Sequence, residues 1–560
     1  MGRSRPGVSL ALAAALLAGC TAGGGGAVEG AGAGTGSGGG SGARSTAGRA
    51  AQDGPSAVAL PWGPTAAELA AARAEVAAWD DARLAGQVIV GRFHGSDPAA
   101  AAAQVRRLHL AGLSLTGANI VDARQVRAVT TAVHAAVRDD RRAFPAVIGV
   151  DQEGGTVAHL GALVAAHPAF MTAGAVVAGA RRRGEAAAGE ATVTAATRAL
   201  ALELRAAGFT WDFAPVADVT MGRADPTIGT RSPSGDPDVA AVATVAAMRG
   251  FTAAGLVSTV KHFPGHGSVT TDSHRALPVQ RASLADLAER DLVPFTAAVR
   301  AGAPAVMVAH VAVPAAEPDA VVRPASLSPS VYGLLRDQLG FEGVAITDSL
   351  GMGAVRSGGD PGVRALAAGA DLLLMPADTA ATHAAVTAAL ATGTLPRPRV
   401  VEAAARVVAL QRWQARIAAR VAVPDDARRR AEAASAALSA AAVTQVTGRC
   451  PMAPMNAVQV IGGSAPDRRR FTAAARSAGL RLGSGPTVSL VGSTPARADI
   501  VVALDRPTVL ASSRATIAAF AIYGHTEGAL AALAQVLTGR LHPNGSLPVQ
   551  VSGAAESGTC

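Results

Sequence analysis

One short segment of the chain holds the residue types best suited to chemistry. It runs from Lys261 to Gly267 with the sequence KHFPGHG, and the triplet Asp272-Ser273-His274 follows soon after. Lys261 is the only lysine, whereas arginine occupies the other 49 of the 50 basic positions. Lysine presents a compact ammonium with three donors where arginine presents a wide planar fork, and a histidine near a carboxylate can exchange a proton near neutral pH. We therefore expect this segment to bind a small polar ligand, such as the hydroxyl groups of a sugar, and to transfer protons.

The same segment also contains side chains that zinc accepts as ligands. The right residue types are found at His262, His266, Asp272 and His274. Against a metal site, Lys261 would stand next to the cation, and no second group of ligands occurs in the sequence. We therefore expect neither a metal ion nor another cofactor.

Eight short apolar runs, each followed by an Ala-rich helical stretch, occur between about residues 61 and 420. The runs are 87–93, 112–116, 146–150, 209–219, 257–262, 305–311, 343–347 and 371–375. Eight β/α units in this length predict an α/β fold, a (β/α)8 TIM-like barrel. The main competitor is a doubly wound open sheet, but the chain has no Gly-rich dinucleotide fingerprint after the first run.

Ionisable side chains lie at the end of, or after, five successive runs, from the third to the seventh. In chain order they are Asp151, Asp218, Arg231, Lys261, His262, His310 and Asp348. In such barrels the catalytic groups collect at the carboxyl ends of the strands. The barrel would therefore bring these side chains together at one face.

The N-terminal residues are typical of an exported lipoprotein. Two arginines precede an apolar run over residues 8–18, which is too short to span a membrane. The run ends in Leu-Ala-Gly-Cys, which resembles a bacterial lipobox with Cys20 as the lipidated residue. We expect residues 1–20 to be a signal peptide and residues 21–60 to be a flexible Gly/Ala/Ser tether. The protein would then be lipid-anchored to the outer face of the cytoplasmic membrane, with no other membrane contact.

The rest of the chain divides into three parts. We predict the barrel over residues 61–420, a helical connector over 421–445 and a smaller α/β sandwich domain over 446–560. Cys450 and Cys560 bracket this last domain. In an oxidising compartment they either form a disulfide or remain free thiols, and we predict the disulfide.

The chain is basic, with a net charge of +9 and an isoelectric point near 10.7. Such a charge is compatible with a nucleic-acid partner or an acidic envelope polymer. The arginines are scattered, however, and no long basic run occurs. We attribute the charge to a solvated surface and expect no nucleic-acid partner.

Five motifs identify a family. They are DQEGG at 151–155, FAPVAD at 213–218, IGTRS at 228–232, the segment 261–274 and ITDSLGM at 346–352. Together they resemble the glycoside hydrolase family 3 β-N-acetylglucosaminidases. The resemblance extends over about residues 66–418. It continues more weakly into the C-terminal domain, whose ending PNGSLPV is similar to the second domain of larger members.

The resemblance implies three catalytic residues. It makes Asp348 the nucleophile of a retaining displacement and His274 the acid/base group, oriented by Asp272. A different role is open to Asp348 on the residues alone, because an aspartate after a strand often caps the next helix.

The resemblance also implies a set of binding residues. It assigns contacts with sugar hydroxyls to Asp151, Arg231, Lys261 and His262. Asp218 and His310 either contact the substrate or position the residues that do.

Three positions depart from the family pattern. Thr156 and His159 stand where the family usually has arginine, and Ser349 replaces the second aspartate of an Asp-Asp pair. The first two changes put one substrate contact in doubt, although His159 remains a candidate site residue. The third leaves the nucleophile position intact.

The leading hypothesis is a retaining exo-β-N-acetylglucosaminidase that hydrolyses terminal N-acetylglucosamine from peptidoglycan-derived glycans. It would bind carbohydrate as its only partner and act as a monomer. One alternative is a β-N-acetylglucosaminide phosphorylase, because a histidine acid/base group does not repel phosphate as glutamate would. Another is a non-catalytic glycan-binding lipoprotein, against which Asp348, Asp272 and His274 argue because all three are present.

Overall fold

The computed structural model describes residues 58–355, 358–450 and 452–552. The expected signal peptide with Cys20, nearly all of the tether, and Cys560 lie outside these residues. Among the described residues, none of the helices combines the length and the apolar character needed to cross a membrane.

The strands of the first domain form a parallel ring and one separate antiparallel pair. They are β1 (Ile89–Arg92), β2 (Gly112–Ser114), β3 (Val147–Val150), β4 (Gln152–Gly154), β5 (Val157–Ala158), β6 (Trp211–Asp212), β7 (Val257–Ser258), β8 (Val260–Phe263), β9 (Ala305–Val308), β10 (Val344–Thr347) and β11 (Leu373–Leu374). Hydrogen bonding gives the orders β11-β1-β2-β3-β6-β7 and β10-β9-β8. The segment of β7 continues directly into β8, and a bridge from Ile346 to Leu372 closes the ring. The short β4 and β5 form a separate antiparallel pair.

The predicted (β/α)8 barrel is confirmed, because each of the eight apolar runs contains one strand position of the ring. The helices of this domain are α1 (Ala66–Ala77), α2 (Asp81–Gln87), α3 (Pro98–Arg107), α4 (Ala123–Asp139), α5 (Met171–Arg182), α6 (Ala186–Ala206), α7 (Pro237–Ala254), α8 (Leu284–Glu289), α9 (Val293–Arg300), α10 (Pro329–Gly333), α11 (Pro361–Ala368), α12 (Thr379–Ala391) and α13 (Arg397–Ala419). Five helices that follow ring strands begin after an aspartate whose carboxylate accepts backbone N–H groups: Asp97, Asp122, Asp236, Asp360 and Asp378. Such caps fix where each β/α loop ends.

Small and β-branched side chains fill most of the barrel, since aromatic residues make up only 3% of the chain. All residues of β3, β9 and β10 are buried. Gly149 in β3 leaves room for the ring of Phe213, which would lie 2.4 Å from a Cβ at that position. This packing holds the strand ends, and the side chains that follow them, in fixed positions.

The second domain is a five-stranded sheet with helices. Its elements are α14 (Ala427–Ala442), β12 (Thr444–Gly448), β13 (Ala457–Gly462), α15 (Ala465–Ser477), β14 (Arg481–Val491), β15 (Arg497–Ala503), β16 (Arg514–Ala521) and α16 (Glu527–Leu537). The strand order is β12-β16-β15-β14-β13, and only the β12–β16 pair is antiparallel.

Alternate residues of the central strand β15 face opposite sides of this sheet, as strand geometry requires. Ile500 and Val502 pack with Phe471 of α15 and Leu533 of α16. Val501 and Ala503 belong instead to a core shared with helices α5, α6 and α7 of the barrel domain. The sheet thus joins the two domains through one buried face, and the predicted α/β sandwich is confirmed.

Candidate active site

A cavity of about 530 Å³ opens at the carboxyl ends of the barrel strands. Its walls include seven of the candidate site residues: Asp151, His159, Arg231, Lys261, His262, His274 and Asp348. Asp218, Asp272 and His310 do not line it. Asp218 and His310 lie behind residues that do, and Asp272 lies beside the exposed His274.

Two cations and two carboxylates form the base of this cavity. Lys261 Nζ lies 2.6 Å from Asp151 Oδ1 and 2.6 Å from Glu153 Oε1. Arg231 donates through Nε and Nη2 to the two oxygens of Glu153, at 2.8 and 2.9 Å. Burial opposes the ionisation of Glu153, but Arg231 and Lys261 outweigh it and lower the pKa of this carboxyl. Burial likewise opposes the charge of Lys261, whose pKa Asp151 and Glu153 raise.

Glu153 was not predicted from the sequence, although it lies within a quoted motif. Its side chain is only 2% exposed and bridges both cations of the cluster. A sequence signal existed, because residues two apart on a strand share a face. Asp151 and Glu153 are so spaced, and both face Lys261.

Asp218 positions His262 and does not contact the cavity. It is fully buried and accepts hydrogen bonds from His262 Nδ1 at 2.7 Å and from the backbone N–H of His266 at 2.7 Å. Burial opposes its ionisation, but His262 and His266 lower the pKa of Asp218. With the Nδ1 proton held by Asp218, His262 presents Nε2 beside Arg231 Nη2, 3.3 Å away.

His310 also acts from behind the cavity. It is fully buried and contacts Ser326 Oγ through Nδ1 at 2.6 Å and the carbonyl oxygen of Ser349 through Nε2 at 2.9 Å. Because a carbonyl only accepts, Nε2 carries the proton. Burial lowers the pKa of His310, and its Nε2–H holds the backbone directly after Asp348.

Asp348 follows the last residue of β10 and is placed to react. Its Oδ1 accepts the backbone N–H of Ser349 at 2.7 Å. Burial opposes ionisation, but the nearby His310 and His262 and this hydrogen bond bring the pKa of Asp348 down to about 2. The next α-helix, α11, is capped by Asp360 and not by Asp348. The capping role is therefore excluded, and an ionised carboxylate faces the cavity.

The proposed acid/base pair lies on the loop after β8. His274 Nδ1 lies 2.8 Å from Asp272 Oδ1, which also accepts the backbone N–H of His274 at 2.9 Å. These hydrogen bonds from His274 lower the pKa of Asp272 against the effect of its slight burial. The side chain of His274 is 66% exposed, so the dyad stands at the mouth of the cavity.

A buried hydrogen bond anchors this exposed dyad. Ser273, between its two members, contacts His266 Nε2 through Oγ at 2.9 Å, and both residues are 2% exposed. His266 in turn donates its backbone N–H to Asp218. The acid/base loop is thus connected to the residues that position His262, a link that the sequence did not predict.

The carboxylate of Asp212 lies beneath the cluster. Its Oδ1 accepts the backbone N–H of Gln152 at 3.0 Å, between Asp151 and Glu153. Its Oδ2 is buried with no hydrogen-bond partner in the described part of the chain. Burial raises the pKa of Asp212 to about 8, so this carboxyl is protonated near neutral pH.

The second domain supports the turn that carries Arg231. Arg506, just beyond β15, donates to the backbone carbonyl of Asp225 at 2.9 Å. Thr230 Oγ1 donates to Asp505 Oδ1 at 2.8 Å. The turn between Asp225 and Arg231 also lines the cavity through Thr227 and Ile228. Residues from another domain therefore brace one wall of the site.

The departures from the family pattern fall on the cavity wall. Thr156 and His159 both line it, and His159 Nδ1 accepts the backbone N–H of Gly117 at 3.4 Å. Arg92, at the end of β1, lines the same cavity and was not predicted. Its position was the available signal, because Arg92 is a polar residue near the end of the first run, 87–93.

Of the two cysteines predicted to form a disulfide, only Cys450 lies among the described residues. Cys450 is disulfide-bonded, whereas Cys560 lies outside the described residues. The pairing of Cys450 with Cys560 therefore remains a prediction.

Three comparisons relate the chain to known proteins. The family model described as glycosyl hydrolase family 3 N terminal domain matches residues 83–410. A β-hexosaminidase of Stenotrophomonas maltophilia (strain R551-3) is 38% identical over 270 residues, which cover 48% of this chain and 76% of that protein. A β-hexosaminidase A of Pseudoalteromonas piscicida is 30% identical over 393 residues, which cover 65% of this chain and 64% of that protein.

Solved structures extend the likeness to both domains. A glycoside hydrolase family 3 β-N-acetylglucosaminidase from Paenibacillus sp. str. FPU-7 has a TM-score of 0.73 and 28% identity, covering 85% of this chain and 100% of that chain. The β-glucoside phosphorylase BglX has a TM-score of 0.73 at 18% identity, covering 91% of this chain and 100% of that chain. The second likeness is one of fold alone.

Proposed function

Because this chain belongs to glycosyl hydrolase family 3 and is a glycoside hydrolase, we propose that it releases terminal β-linked N-acetylglucosamine from glycans by a retaining mechanism. One observation carries the proposal. The ionised Asp348 and the exposed His274 line the same cavity as the Lys261 cluster. A nucleophile, a proton donor and a set of polar side chains suited to sugar hydroxyls thus surround one space.

In the first step the Asp348 carboxylate attacks the anomeric carbon while the bond to the leaving group breaks. His274 gives its proton to the leaving oxygen, and Asp272 fixes the ring through Nδ1. In the second step His274 takes a proton from water, whose oxygen bonds to the anomeric carbon as the ester with Asp348 breaks. Two displacements at one carbon leave its configuration unchanged.

The base of the cavity suits the hydroxyl groups of one sugar. The Lys261 ammonium has three N–H donors, of which Asp151 and Glu153 use two. The third, with the free oxygen of Asp151, can make charge-assisted hydrogen bonds to neighbouring hydroxyls. His262 lines the same space, with Nε2 beside Arg231 Nη2. Asp218 and Glu153 then serve as positioning residues for this set.

The natural substrate and the cellular location are also part of the proposal. We infer peptidoglycan-derived glycans as substrates, a lipid anchor at Cys20 and a monomeric state. The motive is the N-terminal sequence, which resembles that of exported lipoproteins. An exported, anchored hydrolase meets the cell wall before any other glycan.

A release assay with a chromogenic N-acetyl-β-glucosaminide tests the proposed function. The wild type should release the chromophore, and Asp348→Ala should abolish turnover. Asp360→Asn is the matched control, because Asp360 lies in the same β/α unit but outside the cavity, where it caps α11 and accepts a hydrogen bond from Thr382 Oγ1 at 2.9 Å; it should keep its activity. The absence of release by the wild type, or full activity of Asp348→Ala, would refute the proposal.

The same assay with inorganic phosphate separates a hydrolase from a phosphorylase. A hydrolase yields N-acetylglucosamine whether or not phosphate is present. A phosphorylase would yield N-acetylglucosamine 1-phosphate in its place. Chromatography of the products distinguishes the two sugars.

A further inference from the structure

Arg92 is a cation of the catalytic cavity that no carboxylate of the described residues pairs with. It ends β1 and lines the cavity together with Asp348 and Ser349. Its side chain makes one long hydrogen bond, from Nη2 to Ser349 Oγ at 3.4 Å. Its Nε is buried without a partner, and within the described ranges no Asp or Glu lies within ion-pair distance of its guanidinium.

The other two strong cations of the cavity differ from Arg92 in this respect. Lys261 is paired with Asp151 and Glu153, and Arg231 is paired with Glu153 through two hydrogen bonds. Both pairs are internal to the protein. Arg92 therefore retains most of its hydrogen-bonding capacity for a ligand.

The geometry points to Arg92 as the binding residue for an anionic oxygen group, a carboxylate on the substrate or inorganic phosphate, beside Asp348. The planar guanidinium matches such groups with two parallel N–H donors, which a neutral sugar hydroxyl does not accept as well. The arginines expected at positions 156 and 159 are Thr156 and His159 in this chain. Arg92 thus supplies a guanidinium to a cavity in which two positions that are usually arginine in the family carry other residues.

The proposed function, on which this inference rests, adds a second reason. Asp348 is an ionised carboxylate that lines the same cavity as Arg92. When it forms the glycosyl ester it becomes neutral, and the cavity that Arg92 lines then carries one negative charge fewer. Attraction for an incoming anion should therefore be greatest at the glycosyl-enzyme stage.

Matched substrates and one variant pair test the assignment. The substrates are the 3-carboxyphenyl and 3-carbamoylphenyl N-acetyl-β-glucosaminides, which differ in charge but hardly in size. The variants are Arg92→Gln and Arg107→Gln. Arg107 is exposed on α3, in the same β/α unit but outside the cavity, so its loss removes one charge without touching the site.

In the substrate arm, Arg92→Gln should lower the ratio of kcat/KM for the acid to that for the amide by about tenfold, the effect of one hydrogen bond to a charged group. Arg107→Gln should leave the ratio unchanged, and Arg92→Lys should restore part of it. In the phosphate arm, the concentration of inorganic phosphate that gives a half-maximal change in the reaction rate should be about tenfold lower for the wild type than for Arg92→Gln. Chloride at equal ionic strength is the control.

An effect in the first arm assigns the anion to the substrate, and an effect in the second assigns it to free phosphate. The inference is overturned if the wild type has the same kcat/KM for the acid and the amide and if phosphate does not change its reaction rate. It is also overturned if Arg92→Gln and Arg107→Gln have the same acid-to-amide ratio of kcat/KM and the same dependence on phosphate. Should the wild type release no N-acetylglucosamine, the proposed function fails, but calorimetric titration of phosphate into the wild type and Arg92→Gln still tests whether Arg92 binds an anion; equal affinities would overturn the inference.

Discussion

Replacing Lys261 with arginine keeps the positive charge of the cavity base and changes its shape. Nζ lies 2.6 Å from an oxygen of Asp151 and 2.6 Å from one of Glu153, and the side chain is 2% exposed. Two carboxylates spaced around one nitrogen leave no room for a planar fork with three nitrogens. We therefore expect the arginine to displace Asp151 or the neighbouring His262 from the substrate.

The magnitude follows from what the displacement removes. One hydrogen bond to a charged group contributes about 1.5–3 kcal/mol, and misplaced groups at a reacting centre lower the rate further. We expect kcat/KM for a chromogenic N-acetyl-β-glucosaminide to fall by about a hundredfold in Lys261→Arg, equivalent to about 2.7 kcal/mol. A thermal melt close to that of the wild type would show that the fold is intact.

Lys261→Met provides the comparison for this experiment, because it removes the charge and the donors together. It should be at least as impaired as Lys261→Arg. If Lys261→Arg keeps near-normal kinetics while Lys261→Met does not, the position requires only positive charge. The argument from shape would then be wrong.

Three further predictions concern the surroundings of this cluster. His274→Ala should slow the release of poor leaving groups far more than that of activated ones, because an activated leaving group needs little proton assistance; equal losses across a series of aryl glycosides would contradict its role as the acid. Asp212→Asn should stabilise the protein more at about pH 8 than at about pH 5, as measured by thermal melts. The folded pKa of Asp212, about 8, exceeds the ordinary 3.8, so its stabilising effect is present below 3.8 and is lost as the pH rises toward 8; a pH-independent difference would contradict this. Arg506→Ala should raise KM and hydrogen exchange in the turn that it braces, whereas Arg514→Ala, an exposed arginine at the start of β16, should change neither.

The sequence was sufficient for the barrel because its strands are short, apolar and evenly spaced. Each apolar run contains a strand of the ring, and the ionisable residues after the runs meet at one face. By contrast, β12 was not predicted. Its residues Thr444–Gly448 lack a long apolar run, and the strand lies at the edge of the sheet, where hydrophobic pattern is weakest.

The roles of individual side chains depended on burial, which the sequence does not specify. The sequence leaves Asp218 and His310 open between substrate contact and positioning, and their full burial favours positioning. Glu153 and Arg92 were missed for a related reason. Glu153 is distinguished by its two cation partners, and Arg92 by having no ion-paired carboxylate among the described residues. Such pairings arise only when distant segments meet.

The most direct test of the proposed mechanism is to trap the glycosyl-enzyme in the His274→Ala variant. With an activated aryl N-acetyl-β-glucosaminide, the first displacement needs little acid assistance, whereas the second lacks the base that activates water. The ester should therefore accumulate. Mass spectrometry of the denatured, digested protein should find one N-acetylglucosaminyl group on the peptide that contains Asp348. An adduct on another residue, or rapid turnover that leaves no adduct in this variant, would contradict a retaining mechanism through Asp348.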